Sequence, residues 1–123
     1  MAVPESFPEP IQSYDVHIYF DHTDTTSTET ARQLRQDIID QLGHLEGFRV
    51  HKLWDKPIGP HPTAMFECDF RSPAIFATVV PWVQIHRRHL PVLVHPRTGN
   101  DLEDHTTHAI WIGDKQPLIL DAL

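Results

Sequence analysis

The sequence of 123 residues contains very little cysteine, since Cys68 is its single thiol. One thiol excludes a disulfide within the chain and a zinc site made of several cysteines. The first ten residues also lack the basic stretch and the apolar segment of a secretory signal peptide. These absences lead us to expect a cytoplasmic protein.

Basic residues are scarce as well, with 10 Lys and Arg against 17 Asp and Glu and a net charge of −7 when histidine is neutral. Nucleic acids and anionic membranes attract proteins with a basic surface, so we expect neither as a main partner. Apolar runs are short and are interrupted by proline, histidine or charged residues, which argues against a membrane span.

Histidine, in contrast, is abundant, with ten copies in the chain. Neutral imidazole is a common ligand for divalent transition metals, and histidine titrates near neutral pH. The densest region is 93–113, which contains His95, His105 and His108 together with Arg97 and several carboxylates. This composition is typical of a metal site, of an acid–base site or of a polar surface loop.

The residue pattern predicts one domain over residues 13–123, preceded by a Pro-rich, extended lead-in over residues 1–12. Alternation of apolar and polar residues favours strands, and apolar residues three or four apart favour helices. On these criteria, strands occupy 14–20, 48–54, 64–70, 91–95 and 107–112, and helices begin near Thr26 and Ser72. The order predicts an α+β, ferredoxin-like βαββαβ sandwich with an additional C-terminal strand.

Residue types at the helix ends support this assignment. The segment Thr26 to Glu29 fits a capping box, with a hydroxyl at the N-cap and a carboxylate three residues later. Ser72 and Pro73 fit an N-cap and a first helical position. Pro81 should kink the second helix without ending it.

The strand pattern predicts a polar cluster on the sheet face that the helices leave open. Val16, Ile18 and Phe20 should face the helices, so His17 should face the other way. The same alternation places Glu67 and His95 on the open face. Two imidazoles and one carboxylate match the facial triad of non-haem iron(II) oxygenases, so His17, His95 and Glu67 are the predicted metal ligands.

The alternative is that these residues form the solvent-exposed side of an amphipathic sheet, an interpretation that accounts well for Asp15 and Asp69. His61 precedes Pro62 in the loop before the third strand and could lean over the open face. Tyr19 shares the face of His17, where it could position a phenolic oxygen or simply pack.

The segment around the last predicted strand supplies further candidates. His105 or His108 could serve as the acid–base group or as a hydrogen-bond partner of a ligand. Arg97 could bind a substrate carboxylate through two hydrogen bonds. Its alternative role is an ion pair with one of three nearby carboxylates, those of Asp101, Glu103 and Asp104.

Three blocks of the sequence resemble the DOPA dioxygenase-like family of small extradiol dioxygenases. They are residues 14–20, His61-Pro62 with Glu67 following, and residues 93–113. The resemblance implies a compact ferredoxin-like domain, usually dimeric, that binds a divalent metal. It also implies ring opening of a catechol such as DOPA by O₂ and Fe(II), although zinc or another divalent metal could occupy the site of the isolated protein.

These observations lead to one main hypothesis, an Fe(II)-dependent extradiol dioxygenase. His105 and His108 are its candidate acid–base groups, and Tyr19, His61 and Arg97 its candidate substrate-binding residues, with His61 also a possible alternate ligand. One rival is a non-enzymatic dimer that binds a metal or a small ligand on the same scaffold. Another is an interaction domain whose open sheet face is a dimer interface.

Overall fold

The computed structural model describes residues 3–123, so the first two residues of the predicted lead-in lie outside the described residues. Five strands form one antiparallel sheet in the order β2-β3-β1-β4-β5. Along the chain, the elements are β1 (Ser13–Phe20), α1 (Thr25–Leu42), β2 (Arg49–Val50), β3 (Ala64–Phe70), α2 (Pro73–His86), β4 (Val92–Arg97), α3 (Asp101–His105), β5 (Ile110–Ile112) and a 3₁₀ turn (Leu120–Ala122). This arrangement confirms the predicted α+β, ferredoxin-like fold with an additional C-terminal strand.

The central strand β1 pairs with β3 on one side and with β4 on the other. Its register places His17 opposite both Glu67 and Leu93, and Asp15 opposite His95. Residues that lie opposite each other on neighbouring strands point to the same face of the sheet. The alternation pattern therefore correctly predicts that these polar residues lie close together.

The capping residue of α1 differs from the prediction. The helix begins one residue after Asp24, whose carboxylate accepts hydrogen bonds from the backbone N–H groups of Thr26 and Ser27. The predicted capping box at Thr26 is therefore wrong by two residues. A carboxylate is as good an N-cap as a hydroxyl, and the Asp24 side chain reaches the free N–H groups of the first turn.

The start of α2 agrees with the prediction, because the Ser72 hydroxyl accepts a hydrogen bond from Ile75 N–H and Pro73 occupies the first turn. The helix continues through Pro81 to His86. Residues Arg88 and His89 then adopt positive φ angles, which carry the chain away from the helix axis.

The second strand is much shorter than the predicted 48–54, since regular pairing stops at Val50. An isolated bridge joins Trp54 to Met65 further along. From Val50 to Trp54 the chain advances four residues while its partner advances three, from Cys68 to Met65. One extra residue interrupts the pairing as a bulge, which explains the lost strand.

The region after β4 contains the largest departure from the predicted elements. The strand β4 extends two residues beyond the predicted end, and β5 begins at Ile110 rather than at 107. Between them lies α3, which the sequence pattern did not predict. The Asn100 side chain caps this helix by accepting a hydrogen bond from Glu103 N–H.

Two apolar clusters lie on opposite faces of the sheet. The larger cluster packs the sheet against α1 and α2. The smaller one, on the open face, is formed by Tyr19, Met65 and Leu93, with partly buried neighbours that include Trp54 and Leu118. Loop 51–62 and the C-terminal residues therefore cover part of the open face. Among residues 3–123, no helix combines the length and the apolar character needed to cross a membrane.

Candidate metal centre

A cavity of about 320 Å³ lies on the open face of the sheet, between the strands and the segments that cover them. The polar lining of this cavity consists of imidazoles, carboxylates and one guanidinium, contributed by Asp15, His17, His61, Glu67, His95, Arg97, Asp101 and His105. Its apolar lining consists chiefly of Trp54, Ile58, Met65, Ala122 and Leu123. Seven of the eight predicted site residues thus lie at or beside one cavity, because Tyr19 contacts His61.

Three imidazoles converge at the floor of the cavity. The Nε2 atoms of His17 and His95 are 3.0 Å apart, and the ring centroids of His95 and His105 are 3.9 Å apart. One donor atom from each of the three residues lies within 4.8 Å of the other two. All three side chains are buried, and α3 is the element that brings His105 to the pair.

Backbone carbonyls fix the protonation of two of these rings. His95 Nδ1 donates to the carbonyl of Pro96 at 3.0 Å, and His105 Nδ1 donates to the carbonyl of Asp101 at 2.7 Å. A carbonyl can only accept, so a neutral ring in this position carries its proton on Nδ1 and leaves a lone pair on Nε2. Such outer hydrogen bonds are typical of histidines that bind a metal through Nε2.

The remaining ring, that of His17, fits a metal site for a different reason. Within the described part of the chain, its buried Nδ1 has no hydrogen-bond partner. Two lone pairs 3.0 Å apart would repel, so without a cation His17 Nε2 has to carry the proton that His95 Nε2 accepts. A cation can replace this proton, and three nitrogen donors beside carboxylates suit a divalent transition metal.

Carboxylates lie next to the imidazoles. Glu67 Oε2 is 3.8 Å from His17 Nε2, and Asp15 Oδ2 is 3.6 Å from His95 Nε2. Asp15, His17 and Glu67 form a second group whose donor atoms lie within 4.8 Å of one another. The predicted ligands His17, His95 and Glu67 are therefore neighbours, and His105 is an additional candidate.

Burial sets the charge of these groups. It lowers the pKa of His17 well below its ordinary value, also lowers the pKa of His95, and brings that of His61 to about 4. Burial and the nearby Asp15 raise the pKa of Glu67 to about 7. At neutral pH these imidazoles are consequently neutral, and the neutral ring is the form that binds metals.

The interaction of Asp15 with Arg97 corrects two predictions. Asp15 is buried rather than on a solvent-exposed side of the sheet. Its Oδ2 accepts a hydrogen bond from Arg97 Nε at 2.8 Å and lies 2.7 Å from Arg97 Nη2 in an ion pair. The partner of Arg97 is thus Asp15, not one of the three carboxylates nearer in sequence. The strand β4 lies beside β1, so the guanidinium reaches Asp15 while part of it remains at the cavity.

Tyr19 and His61 form a pair at the side of the cavity, with the phenolic oxygen 2.7 Å from His61 Nδ1. Both side chains are buried, and the His61 ring centroid is 4.3 Å from that of His17. Burial raises the pKa of Tyr19, so the phenol keeps its proton. Its hydroxyl can donate to Nδ1 or accept from it, depending on the tautomer of His61.

The structure does not bring His108 into this cavity, so that candidate for the acid–base role lacks support from the geometry. His108 lies beyond the end of α3, where its Nδ1 is 2.9 Å from Asp104 Oδ1. It lines a separate depression together with Tyr14 and Pro96. Asp104 also accepts two hydrogen bonds from Thr98, one from its backbone N–H and one from its hydroxyl.

Sequence reasoning did not select the apolar lining of the cavity or Asp101. Trp54 and Ile58 belong to a loop, and Ala122 and Leu123 to the last residues of the chain. Their contribution depends on how these segments fold over the sheet, for which the local pattern contains no signal.

Comparison with known proteins agrees with the geometry of the site. The model of the Dopa 4,5-dioxygenase family matches residues 14–122. The chain belongs to this family. Family membership supports an oxygenase that uses a small substrate and O₂, and the histidine group is consistent with a metal cofactor.

The chain is also similar to proteins of three other organisms. The chain is 38% identical to an uncharacterized 21.2 kDa protein of Botryotinia fuckeliana over 94% of this chain and 68% of that protein. It is 32% identical to DOPA 4,5-dioxygenase of Amanita muscaria over 89% of this chain, but spans only 49% of that enzyme. A crystal structure from Nostoc punctiforme, described as a "putative dioxygenase", has a TM-score of 0.79 and 34% identity, and covers 92% of this chain and 91% of that one.

Proposed function

We propose that the chain is an Fe(II)-dependent extradiol dioxygenase that opens the ring of a catechol such as DOPA with O₂. The observation that carries this proposal is the convergence of three buried imidazoles in a cavity that is lined by both polar and apolar residues. Family membership supports the oxygenase chemistry, and the Amanita muscaria enzyme suggests the substrate class.

In this proposal His17 and His95 hold the metal together with His105. The donor atom of His105 lies within 4.8 Å of those of both other histidines, whereas Glu67 groups with His17 and Asp15. This assignment moves His105 from the predicted acid–base role to a ligand role and leaves Glu67 as an adjacent carboxylate. When bound, Fe(II) would supply open positions at which both catechol oxygens and O₂ can be held side by side.

The other residues of the cavity bind the ring and handle its protons. Apolar side chains, including Trp54 and Met65, offer a surface for the flat face of a catechol. Arg97, half exposed at the cavity, can bind a carboxylate on the substrate. His61 is neutral, and its Nδ1 lies 2.7 Å from the Tyr19 hydroxyl. In the tautomer whose Nδ1 donates to this hydroxyl, His61 Nε2 has a free lone pair that can take a catechol proton and return it later.

We further propose that the chain forms a homodimer. β5 is an edge strand of the sheet, and Ile110 on it is 44% exposed. An unpaired edge with exposed apolar side chains favours association with a second copy.

The activity is tested with protein loaded anaerobically with Fe(II) and then exposed to DOPA and air. We expect O₂ uptake and a yellow, ring-opened product. His17→Ala should abolish both activity and metal binding, whereas His44→Ala, outside the cavity, should leave both unchanged. Absence of colour and of O₂ uptake with DOPA and with a panel of other catechols would contradict the proposal, and metal binding without O₂ uptake would favour the non-enzymatic alternative.

A further inference from the structure

The last residues of the chain cross the open face of the sheet. After β5 the chain turns at Gly113, whose φ of +79° lies in the left-handed region that favours glycine. It then runs back towards loop 51–62. We refer to residues 118–123 of this segment as the C-terminal strap.

Two anchors hold the C-terminal strap on the sheet. Leu118 packs against the apolar cluster of Tyr19, Met65 and Leu93. The backbone N–H of Ile119 donates to the carbonyl of Pro60 at 2.8 Å, next to His61 in the chain. The strap therefore attaches both to the sheet and to the loop that carries a cavity residue.

Two residues of the C-terminal strap contribute to the cavity. Ala122 and Leu123 line the cavity that contains the three imidazoles. Ala122 is also exposed and Leu123 is half-buried, so this part of the strap lies at the rim of the cavity. Leu120, which is 48% exposed, does not line the cavity.

We propose that Ala122 and Leu123 determine the size of the ring substituent that the cavity accepts. A ring bound at the histidines would share the cavity with the apolar residues Trp54, Ile58 and Met65, and a substituent that extends towards the strap would meet Ala122 and Leu123. The identity of the ring as a catechol rests on the proposed function, whereas the control of access by the strap does not.

The test compares substitutions at a strap position that lines the cavity and at one that does not, in the full chain loaded with Zn²⁺. Ala122→Phe adds bulk at the cavity, and Leu120→Phe, the control, adds bulk away from it. Calorimetric titration with catechol and with 4-tert-butylcatechol gives an affinity ratio for each protein. We expect Ala122→Phe to reduce the relative affinity for the bulky ligand about tenfold or more, and Leu123→Ala to increase it. The control should keep the wild-type ratio, and equal ratios in all proteins would overturn the proposal.

A second measurement separates the strap from the proposed function. If the wild type binds neither catechol, the proposed function fails. The control of access by the strap is then tested by the rate at which Zn²⁺ passes from the protein to the coloured chelator 4-(2-pyridylazo)resorcinol. We expect slower transfer in Ala122→Phe, faster transfer in Leu123→Ala and no change in Leu120→Phe. Equal rates in all variants would overturn the role of the strap. Circular dichroism checks folding, and Ala122→Leu replaces the phenylalanine variant if that variant does not fold.

Discussion

At the scale of single residues, His17 lies where two groups of candidate ligands meet. One group adds His95 and His105, and the other adds Asp15 and Glu67. His17 belongs to both because β1 pairs with β3 on one side and with β4 on the other. Substitution of His17 removes a ligand from both groups and therefore cannot show which group binds the metal. Variants of the other residues are needed to distinguish the two groups.

Substitution of His105 and of Glu67 separates these alternatives. If His105 is a ligand, His105→Ala should weaken Zn²⁺ binding by more than about 100-fold, because a directly bound nitrogen is lost. Glu67→Gln keeps the size of the side chain and should weaken binding by at most about 100-fold if Glu67 is only adjacent. Competition with a chelator of known affinity measures both values. His108→Ala is the control, and a larger loss in Glu67→Gln than in His105→Ala would assign the third ligand to Glu67.

The pH dependence of stability tests the burial of neutral imidazoles in the metal-free protein. The pKa values of His17, His61 and His95 are lowered, so between pH 6.5 and about 4 the unfolded chain binds protons that the folded chain does not. The free energy of unfolding should therefore fall as the pH decreases through this window. Glu67 opposes the trend, because its raised pKa of about 7 lets the folded state take up a proton first.

The three imidazoles together affect the free energy of unfolding more than the one carboxylate does. Urea unfolding should therefore give the greatest stability between pH 6.5 and 7 and a clear loss by pH 5. His61→Gln removes one of the titrating groups and should make this decline shallower. A stability that is constant or increases from pH 6.5 to 5 would contradict the protonation states described above.

At the scale of helices and strands, the start of α1 offers a direct test, because the sequence pattern and the structure name different capping residues. Asp24→Ala should lower the free energy of unfolding by about 1 kcal/mol, since two N–H groups lose their acceptor. Thr26→Ala, at the position that the capping box predicted, should change it by less than about 0.5 kcal/mol. Urea unfolding at pH 7 measures both. A greater loss in the threonine variant would restore the original assignment.

The elements that the sequence predicted well are those whose pattern repeats over several residues. β3 has the predicted bounds, and α1 shows its apolar stripe because each extends far enough for a period to be visible. The helix α3 has five residues with Leu102 as its sole aliphatic side chain, so no apolar period exists there. Its signals were local, namely Asn100 as a cap and acidic residues in the first turn.

The same limit applies to the candidate site. Strand alternation correctly placed His17, Glu67 and His95 on one face, because side-chain direction follows from position in a strand. It could not show that Asp15 is buried, since this depends on Arg97 from the neighbouring strand. Contacts between residues far apart in sequence decide that burial, and they also decide the position of the C-terminal strap over the cavity.

At the scale of the whole molecule, the two faces of the sheet differ in what holds them together. Apolar residues join the helices to one face over a large buried cluster. On the other face the apolar cluster is small, and the space beside it contains buried histidines and carboxylates. A buried polar cluster contributes less stability than an apolar one unless its groups are all paired, so a bound cation should contribute most on this face.

This difference predicts a strong coupling between metal binding and folding. The candidate ligands come from β1, β4 and α3, which are separated in sequence, so the unfolded chain does not contain the site. Zn²⁺ at about 100 times its dissociation constant should therefore raise the free energy of unfolding by about 2.7 kcal/mol. Thermal unfolding with and without the metal at pH 7 measures the effect. The gain should disappear in His17→Ala and persist in His44→Ala, whereas equal gains in these two variants would show that the metal binds elsewhere on the protein.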